Sequence, residues 1–130
     1  MTENEPTPYQ RIGGAPAVRA LVDQFYDYMD SLDSAREIRA MHPEDLTGSR
    51  TKLREFLTGW LGGPPIYIQK RGHPRLRARH LPFPIGDSAR DAWMECMLLA
   101  LADQPMDADL RSRLGEIFLQ MASHLRNRRD

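Results

Sequence analysis

Apolar residues recur every three or four positions along most of this chain, which is the pattern of amphipathic α-helices. The first stripe predicts a helix of about four turns that carries Val18, Leu21, Val22, Phe25, Met29 and Leu32. The next stripe contains Leu53, Phe56, Leu57, Trp60 and Leu61. Two further stripes lie near the C-terminus, over residues 89–100 and 110–125. Because no run of alternating β-branched residues is present, the pattern predicts an all-α fold.

Turn-forming residues predict where these helices begin and end. Gly13, Gly14 and Pro16 precede the first helix, and Thr47 can cap the second. The sequence GGPP at residues 62–65 ends the second helix. Ser88 and Asp91 give a weak capping-box pattern for the third, and the dipeptide 104–105 separates it from the last. A short helical piece is also predicted over residues 35–41, ahead of Pro43.

The segment from Ile66 to Pro84 is rich in glycine and proline and leaves room for only one short helix, at residues 76–80. Long connections with little regular structure are uncommon in a compact domain and often serve a function. We therefore expect this segment to contribute to a ligand site.

The 130 residues suffice for one domain, predicted at residues 11–127 after a flexible tail at residues 1–10. The chain has 18 basic and 18 acidic residues, so its charge gives no reason to expect nucleic acid as a partner. It contains no apolar run that could cross a membrane and no signal peptide, which predicts a cytoplasmic protein. The single cysteine, Cys96, cannot form an internal disulfide.

The sequence RGHPRLRARHLPFPIG at residues 71–86, followed by RDAWMECM at residues 90–97, resembles the haem-binding centre of group II truncated haemoglobins. Shorter matches are Gly13-Gly14, Phe25-Tyr26, HPEDL at residues 42–46 and GGP at residues 62–64. The resemblance covers residues 9–125. It implies a truncated globin fold, in which a two-over-two helical sandwich surrounds one haem b.

The resemblance implies that His80 is the proximal ligand of the haem iron. From spacing alone, a polar histidine in a basic surface loop is the favoured interpretation of His80. With the resemblance, the expected haem contacts are Lys52, Leu53, Tyr67, Leu76, Arg77, Arg79, Phe83, Ile85 and Met97. Phe56 and Met97 fit the cavity wall and the core equally well. Among the expected contacts, Arg77, Arg79 and Lys52 are candidates to pair with the haem propionates, with Arg77 the first choice.

On the opposite, distal side, the resemblance places Tyr26, His42, Ser49 and Trp93 next to the bound gas. Bound oxygen carries partial negative charge, so the Tyr26 hydroxyl, the His42 imidazole and the Trp93 indole are expected to donate hydrogen bonds to it. Without the resemblance, all three are ordinary structural residues. Group II members often have phenylalanine or tyrosine where this chain has His42, and a histidine there could also bind the iron.

The resemblance implies a protein that binds O2, CO or NO reversibly. The alternative is a haem enzyme, either a nitric oxide dioxygenase or a peroxidase-like protein, supplied by an external reductase. A third class, a haem-free helical interaction module, needs no segment like residues 66–84. The sequence leaves open whether the protein is an enzyme and whether it is a monomer or a homodimer.

Overall fold

The structure is a computed structural model that describes residues 5–129. Within this range the chain forms eight α-helices and no β-strand, which confirms the predicted all-α class. The helices are α1 (Pro8–Ile12), α2 (Ala15–Ser31), α3 (Arg36–Ala40), α4 (Thr47–Trp60), α5 (Ile66–Arg71), α6 (Leu76–His80), α7 (Asp87–Ala102) and α8 (Ala108–His124). A 3-10 turn at Asp33–Ala35 leads into α3.

Four long helices form two layers. Helix α2 packs against α4 in one layer and against α7 of the other layer, where α7 packs on α8. The core cluster between the layers consists of hydrophobic side chains, with Phe25 of α2 and Phe118 of α8 among the largest. The short helices α5 and α6 belong to the connection between α4 and α7, outside this core.

The connection between α4 and α7 contains two short helices, whereas the sequence predicted only the one at residues 76–80. The missed helix, α5, begins directly after the two prolines. It is tied to α4 because Lys70 and Arg71 both form ion pairs with the buried Glu55, at 3.1 and 2.9 Å. Contacts between residues so far apart in the chain leave no periodic signal in the sequence.

The predicted tail at residues 1–10 is replaced by helix from Pro8 onward, and its residues 1–4 lie outside the described residues. A capping box explains the early start, because Thr7 and Gln10 exchange backbone-to-side-chain hydrogen bonds. The Tyr9 N–H donates to the Leu61 carbonyl at 2.9 Å. Its ring lies so close to Gly63 that a Cβ there would be 2.8 Å away.

Two predicted caps are also different in the structure. Thr47 is the first residue of α4, and its N–H donates to the carboxylate of Asp45 at 2.9 Å. Helix α7 begins at Asp87 after Gly86, without a side-chain cap. Among residues 5–129, no helix has the combination of length and apolar character that a membrane crossing requires.

Candidate functional site

A cavity of about 420 Å³ lies between α4, α6, α7, α8 and the segment that follows α3. Its volume is within the usual range for small-molecule sites, about 300–1,000 Å³. The structure brings most of the predicted site residues to it: Tyr26, His42, Ser49, Lys52, Leu53, Tyr67, Leu76, Arg79, His80, Phe83, Ile85 and Trp93.

Arg77 and Met97 do not line this cavity. Residues two apart on an α-helix point roughly 200° apart, so Arg79 faces the cavity while Arg77 faces away. Arg77 lies instead in a surface hollow formed with the C-terminal residues 123, 124 and 126–129. Met97 is fully buried in the core.

The cavity also contains residues that the sequence did not assign to it: Ile38, Met41, Ala89, Arg90, Met121, Ala122 and Leu125. Met121 and Leu125 belong to the apolar stripe of the last predicted helix, where a residue against a ligand has the same pattern as one in the core. Phe56, which lies on the apolar stripe of the second predicted helix, also lines the cavity. No sequence signal separates these two kinds of apolar position.

His80 is the last residue of α6 and is partly buried. Its Nδ1 lies 2.6 Å from the carbonyl oxygen of Leu76, one turn earlier. Because a carbonyl can only accept, Nδ1 carries the proton and donates this bond. The neutral ring therefore keeps an unprotonated Nε2, which is the form of histidine that binds a metal.

Helix α6 begins from a strained residue. Arg75 has φ = 45°, which makes it the one non-glycine residue with positive φ among residues 5–129. Its N–H donates to Nδ1 of His73 at 3.0 Å. Such left-handed conformations cost of order 1–3 kcal/mol for non-glycine residues and are often found at functional sites.

Tyr26 of α2 contributes a protonated phenol. Its side chain is 5% exposed, and burial raises its pKa to about 12 although the nearby Arg50 guanidinium lowers it. Its hydroxyl donates to the Ser49 carbonyl at 3.4 Å, a long hydrogen bond. The hydroxyl can therefore turn to a better acceptor in the cavity at little cost.

Trp93 of α7 is held between core aromatic rings and the cavity. Its ring centroid lies 5.0 Å from that of Phe25 and 6.0 Å from that of Phe118. Among the residues that the structure describes, no acceptor is found for the indole N–H. Since indoles that are largely buried usually find a partner, Trp93 can donate to a molecule in the cavity.

His42 follows α3 and faces Tyr26, with ring centroids 5.9 Å apart. Its Nδ1 lies 2.8 Å from the Ile38 carbonyl, so the single N–H of the neutral ring is already used. Burial lowers the pKa of His42, the bond to the Ile38 carbonyl raises it, and the positive charge of Arg39 lowers it further. The sequence predicted a donor here, but the neutral ring presents an acceptor, Nε2.

Two cations in the cavity wall have no ion-pair partner among residues 5–129. Lys52 and Arg79 are both exposed and line the cavity, whereas Arg90, a third cation in the wall, pairs with Asp87 and Asp91. The cavity thus combines an apolar wall, one unprotonated imidazole nitrogen on α6, two neutral donors and free positive charge. This set of groups fits an apolar, metal-containing ligand that carries carboxylates.

Comparisons with known proteins agree with this geometry. The sequence model for bacterial-like globins matches residues 7–127. The Group 2 truncated hemoglobin YjbI of Bacillus subtilis (strain 168) is 38% identical over 130 residues, which cover 100% of this chain and 96% of that protein.

Solved structures give the same result. The Group II 2-on-2 hemoglobin of Agrobacterium tumefaciens is 44% identical and superposes with a TM-score of 0.92 over 98% of both chains. The cold-adapted truncated hemoglobin of Pseudoalteromonas haloplanktis TAC125 is 42% identical, with a TM-score of 0.92 over 95% of this chain and 99% of that one. The chain therefore belongs to the bacterial-like globin family and is a group II truncated haemoglobin.

Proposed function

We propose that this globin binds haem b through His80 and holds O2 reversibly on the opposite face, within a single domain over residues 11–127. The globin family implies a haem cofactor and the binding of small gases. The finer assignments below are the proposal, and they concern the iron ligand, the propionate partners and the distal donors.

The observation that carries the proposal is the hydrogen bond from His80 Nδ1 to the Leu76 carbonyl, at 2.6 Å. It fixes the tautomer of the neutral ring, in which Nε2 carries the lone pair. It also fixes the rotation of the ring about its side-chain bonds. Metal-bound histidines almost always have a second partner of this kind.

The other walls of the cavity suit the rest of the group. Leu53, Leu76 and Phe83 provide apolar surface for the flat ring, with Tyr67 and Ile85 beside them. We propose that Lys52 and Arg79 pair with the two propionates, since both line the cavity and neither has an ion-pair partner among residues 5–129. Exposed pairs of this kind contribute about 0–1 kcal/mol each, so they orient the group more than they hold it.

When bound, haem would supply an iron atom that takes up a diatomic gas. The chain's own contribution on the distal side is a pair of neutral donors, Tyr26 and Trp93. Hydrogen bonds to a charged acceptor contribute about 1.5–3 kcal/mol each. Two such donors favour O2, which gains negative charge, over CO.

His42 takes a different part in this arrangement. Its neutral ring can accept a hydrogen bond from the Tyr26 hydroxyl or from a water molecule, and it limits the size of the distal space. By the resemblance, Ser49 occupies the position at which ordinary globins have a distal histidine. Its side chain is small and leaves the entrance to the distal space open.

The test is replacement of His80 by glycine. Wild-type protein should bind haem at one equivalent with a sharp Soret band, and the His80→Gly variant should lose that spectrum until free imidazole is added. His124→Gly is the matched control, because His124 is exposed and lies outside the cavity, and its spectrum should equal that of wild type. A His80→Gly variant with the wild-type spectrum in the absence of imidazole would overturn the proposal.

A further inference from the structure

We infer that Asn127 is a positioning residue for the proximal histidine, an inference that rests on the proposed function of His80. Asn127 lies three residues beyond the end of α8, in a segment without regular structure. It is partly buried, and its side chain reaches the loop between α6 and α7.

The Asn127 side chain uses its donors and its acceptor on three different residues of this loop. Its Nδ2 donates to the carbonyls of His80, at 3.1 Å, and Phe83, at 2.9 Å. Its Oδ1 accepts from the Ile85 N–H at 2.9 Å. All three residues of the loop also line the cavity.

The backbone of the same segment adds to this attachment. The N–H groups of Asn127 and Arg128 both donate to the Ile85 carbonyl, at 2.8 and 3.1 Å. Asn127 and Ile85 therefore exchange hydrogen bonds in both directions. The C-terminal segment is joined to the loop at five points, of which three depend on the Asn127 side chain.

The loop needs these partners because it contains few of its own. Pro82 and Pro84 have no N–H, so the chain cannot continue α6 as a helix or form a regular turn ladder. The Phe83 N–H donates to the His80 carbonyl at 3.0 Å, which is the one internal bond of this short loop. Without Asn127, the Phe83 carbonyl and the Ile85 N–H lose the partners described above.

Only an asparagine side chain fits all three contacts at this length. Aspartate has the same shape but no donor, and its negative charge would face two carbonyl oxygens. Alanine removes all three bonds. The position of Asn127 therefore fixes the backbone of His80 from one side, while the Leu76 carbonyl fixes its ring from the other.

The experiment compares haem-bound wild type with Asn127→Asp and Asn127→Ala. Replacement of a residue that supports a metal ligand typically weakens the site 10- to 100-fold. We expect haem transfer to an excess of apomyoglobin to become about tenfold faster in both variants. In the resonance Raman spectrum, the iron–histidine stretching band of the unliganded ferrous protein should shift or broaden. A purely structural role of Asn127 would not produce this change.

Arg128→Ala is the matched control, because Arg128 reaches the loop only through its backbone N–H, which the substitution retains. It should leave the rate of haem transfer and the Raman band at their wild-type values. Far-UV circular dichroism of each variant reports helix content independently.

A wild-type Raman band in Asn127→Asp and Asn127→Ala, with or without a lower melting temperature, would overturn the inference and leave His80 as the ligand. The proposed function fails in a different way: wild-type protein then has no iron–histidine band, and His80→Gly binds haem as wild type does. In that case the positioning role falls with it.

Discussion

The chemistry of the cavity depends on which ring nitrogens carry a proton and which are free to accept a hydrogen bond. His80 and His42 both donate from Nδ1 to the carbonyl four residues earlier, at 2.6 and 2.8 Å, and both direct an acceptor nitrogen elsewhere. Trp93 has the opposite character, with a donor and no acceptor. The proximal side of the site therefore presents an acceptor nitrogen, whereas the distal side presents the donors of Tyr26 and Trp93 beside the acceptor of His42.

Replacement of Trp93 by phenylalanine should remove one donor and keep most of the packing against Phe25. Loss of about 1.4 kcal/mol of hydrogen bonding corresponds to an O2 release about tenfold faster. Stopped-flow displacement of O2 by CO measures this rate. Trp60→Phe, a change of the same kind at a core position, serves as the control, and equal rates for Trp93→Phe and wild type would count against the donor.

His42→Phe should have a smaller effect at neutral pH, because the single N–H of the neutral ring is already bonded to Ile38. We expect O2 release to change less than about threefold at pH 7. Burial lowers the pKa of His42 below its ordinary value of 6.5, so Nε2 gains a proton only at more acidic pH.

As the pH falls through the lowered pKa of His42, the protonated ring becomes a donor, and O2 release from wild type should slow while release from His42→Phe stays constant. The same stopped-flow series at several pH values tests this. A change at pH 7 as large as that of Trp93→Phe would show that Nε2 already carries a proton.

The sequence could identify the residue types of this site but not their protonation. The resemblance located His80, Tyr26 and Trp93, and the structure brings all three to one cavity. The tautomer of His42 depends on a carbonyl distance that no motif encodes. Arg77 was preferred to Arg79 from its distance in sequence to His80, whereas the direction of each side chain depends on the rotation of α6.

Among the helices, α5 shows how a short element is held by distant charges. Glu55 is 5% exposed, and the cations of Arg71 and Lys70 lower its pKa below the ordinary value of 4.5. Its contribution to stability is therefore present above pH 4.5 and is lost as the pH falls through the lowered pKa.

Glu55→Gln should reduce the melting temperature of the haem-bound protein at pH 7 by about 3–6 °C, since a nearly isosteric amide cannot hold both cations. The difference from wild type should be constant above pH 4.5 and shrink as the pH falls through the lowered pKa of Glu55. Asp33→Asn is the control, because its pair with Arg36 is almost fully exposed and should not matter. A difference that persists at acidic pH would contradict the ion-pair explanation. Circular dichroism at each pH provides the measurement.

Long helices with a clear apolar stripe, such as α2 and α8, were predicted within a few residues of their bounds. A periodic apolar pattern can be detected only in a helix that packs on the core over several turns. It cannot report α1 or α5, which have five and six residues and depend on a capping box and on ion pairs.

In the molecule as a whole, the two helical layers bury their apolar side chains against each other, whereas the connection that contains α5 and α6 buries very few. Helix α6 has no buried residue, and α5 has only Tyr67. Segments with few core contacts open most easily.

Haem should therefore protect residues 66–85 far more than the layers. Hydrogen–deuterium exchange of the apo and haem-bound forms should give amides of α6 at least about tenfold slower exchange with haem. Amides of α2 and α8 away from the cavity should change less. Uniform protection over the whole chain would indicate that haem stabilises the fold globally.

A crystal structure of the haem-bound protein would show directly whether His80 binds the iron. We expect His80 Nε2 on the iron, with Nδ1 still within hydrogen-bond distance of the Leu76 carbonyl and the propionates near Lys52 and Arg79. An iron held by another residue, or a His80 ring turned toward solvent, would contradict this expectation.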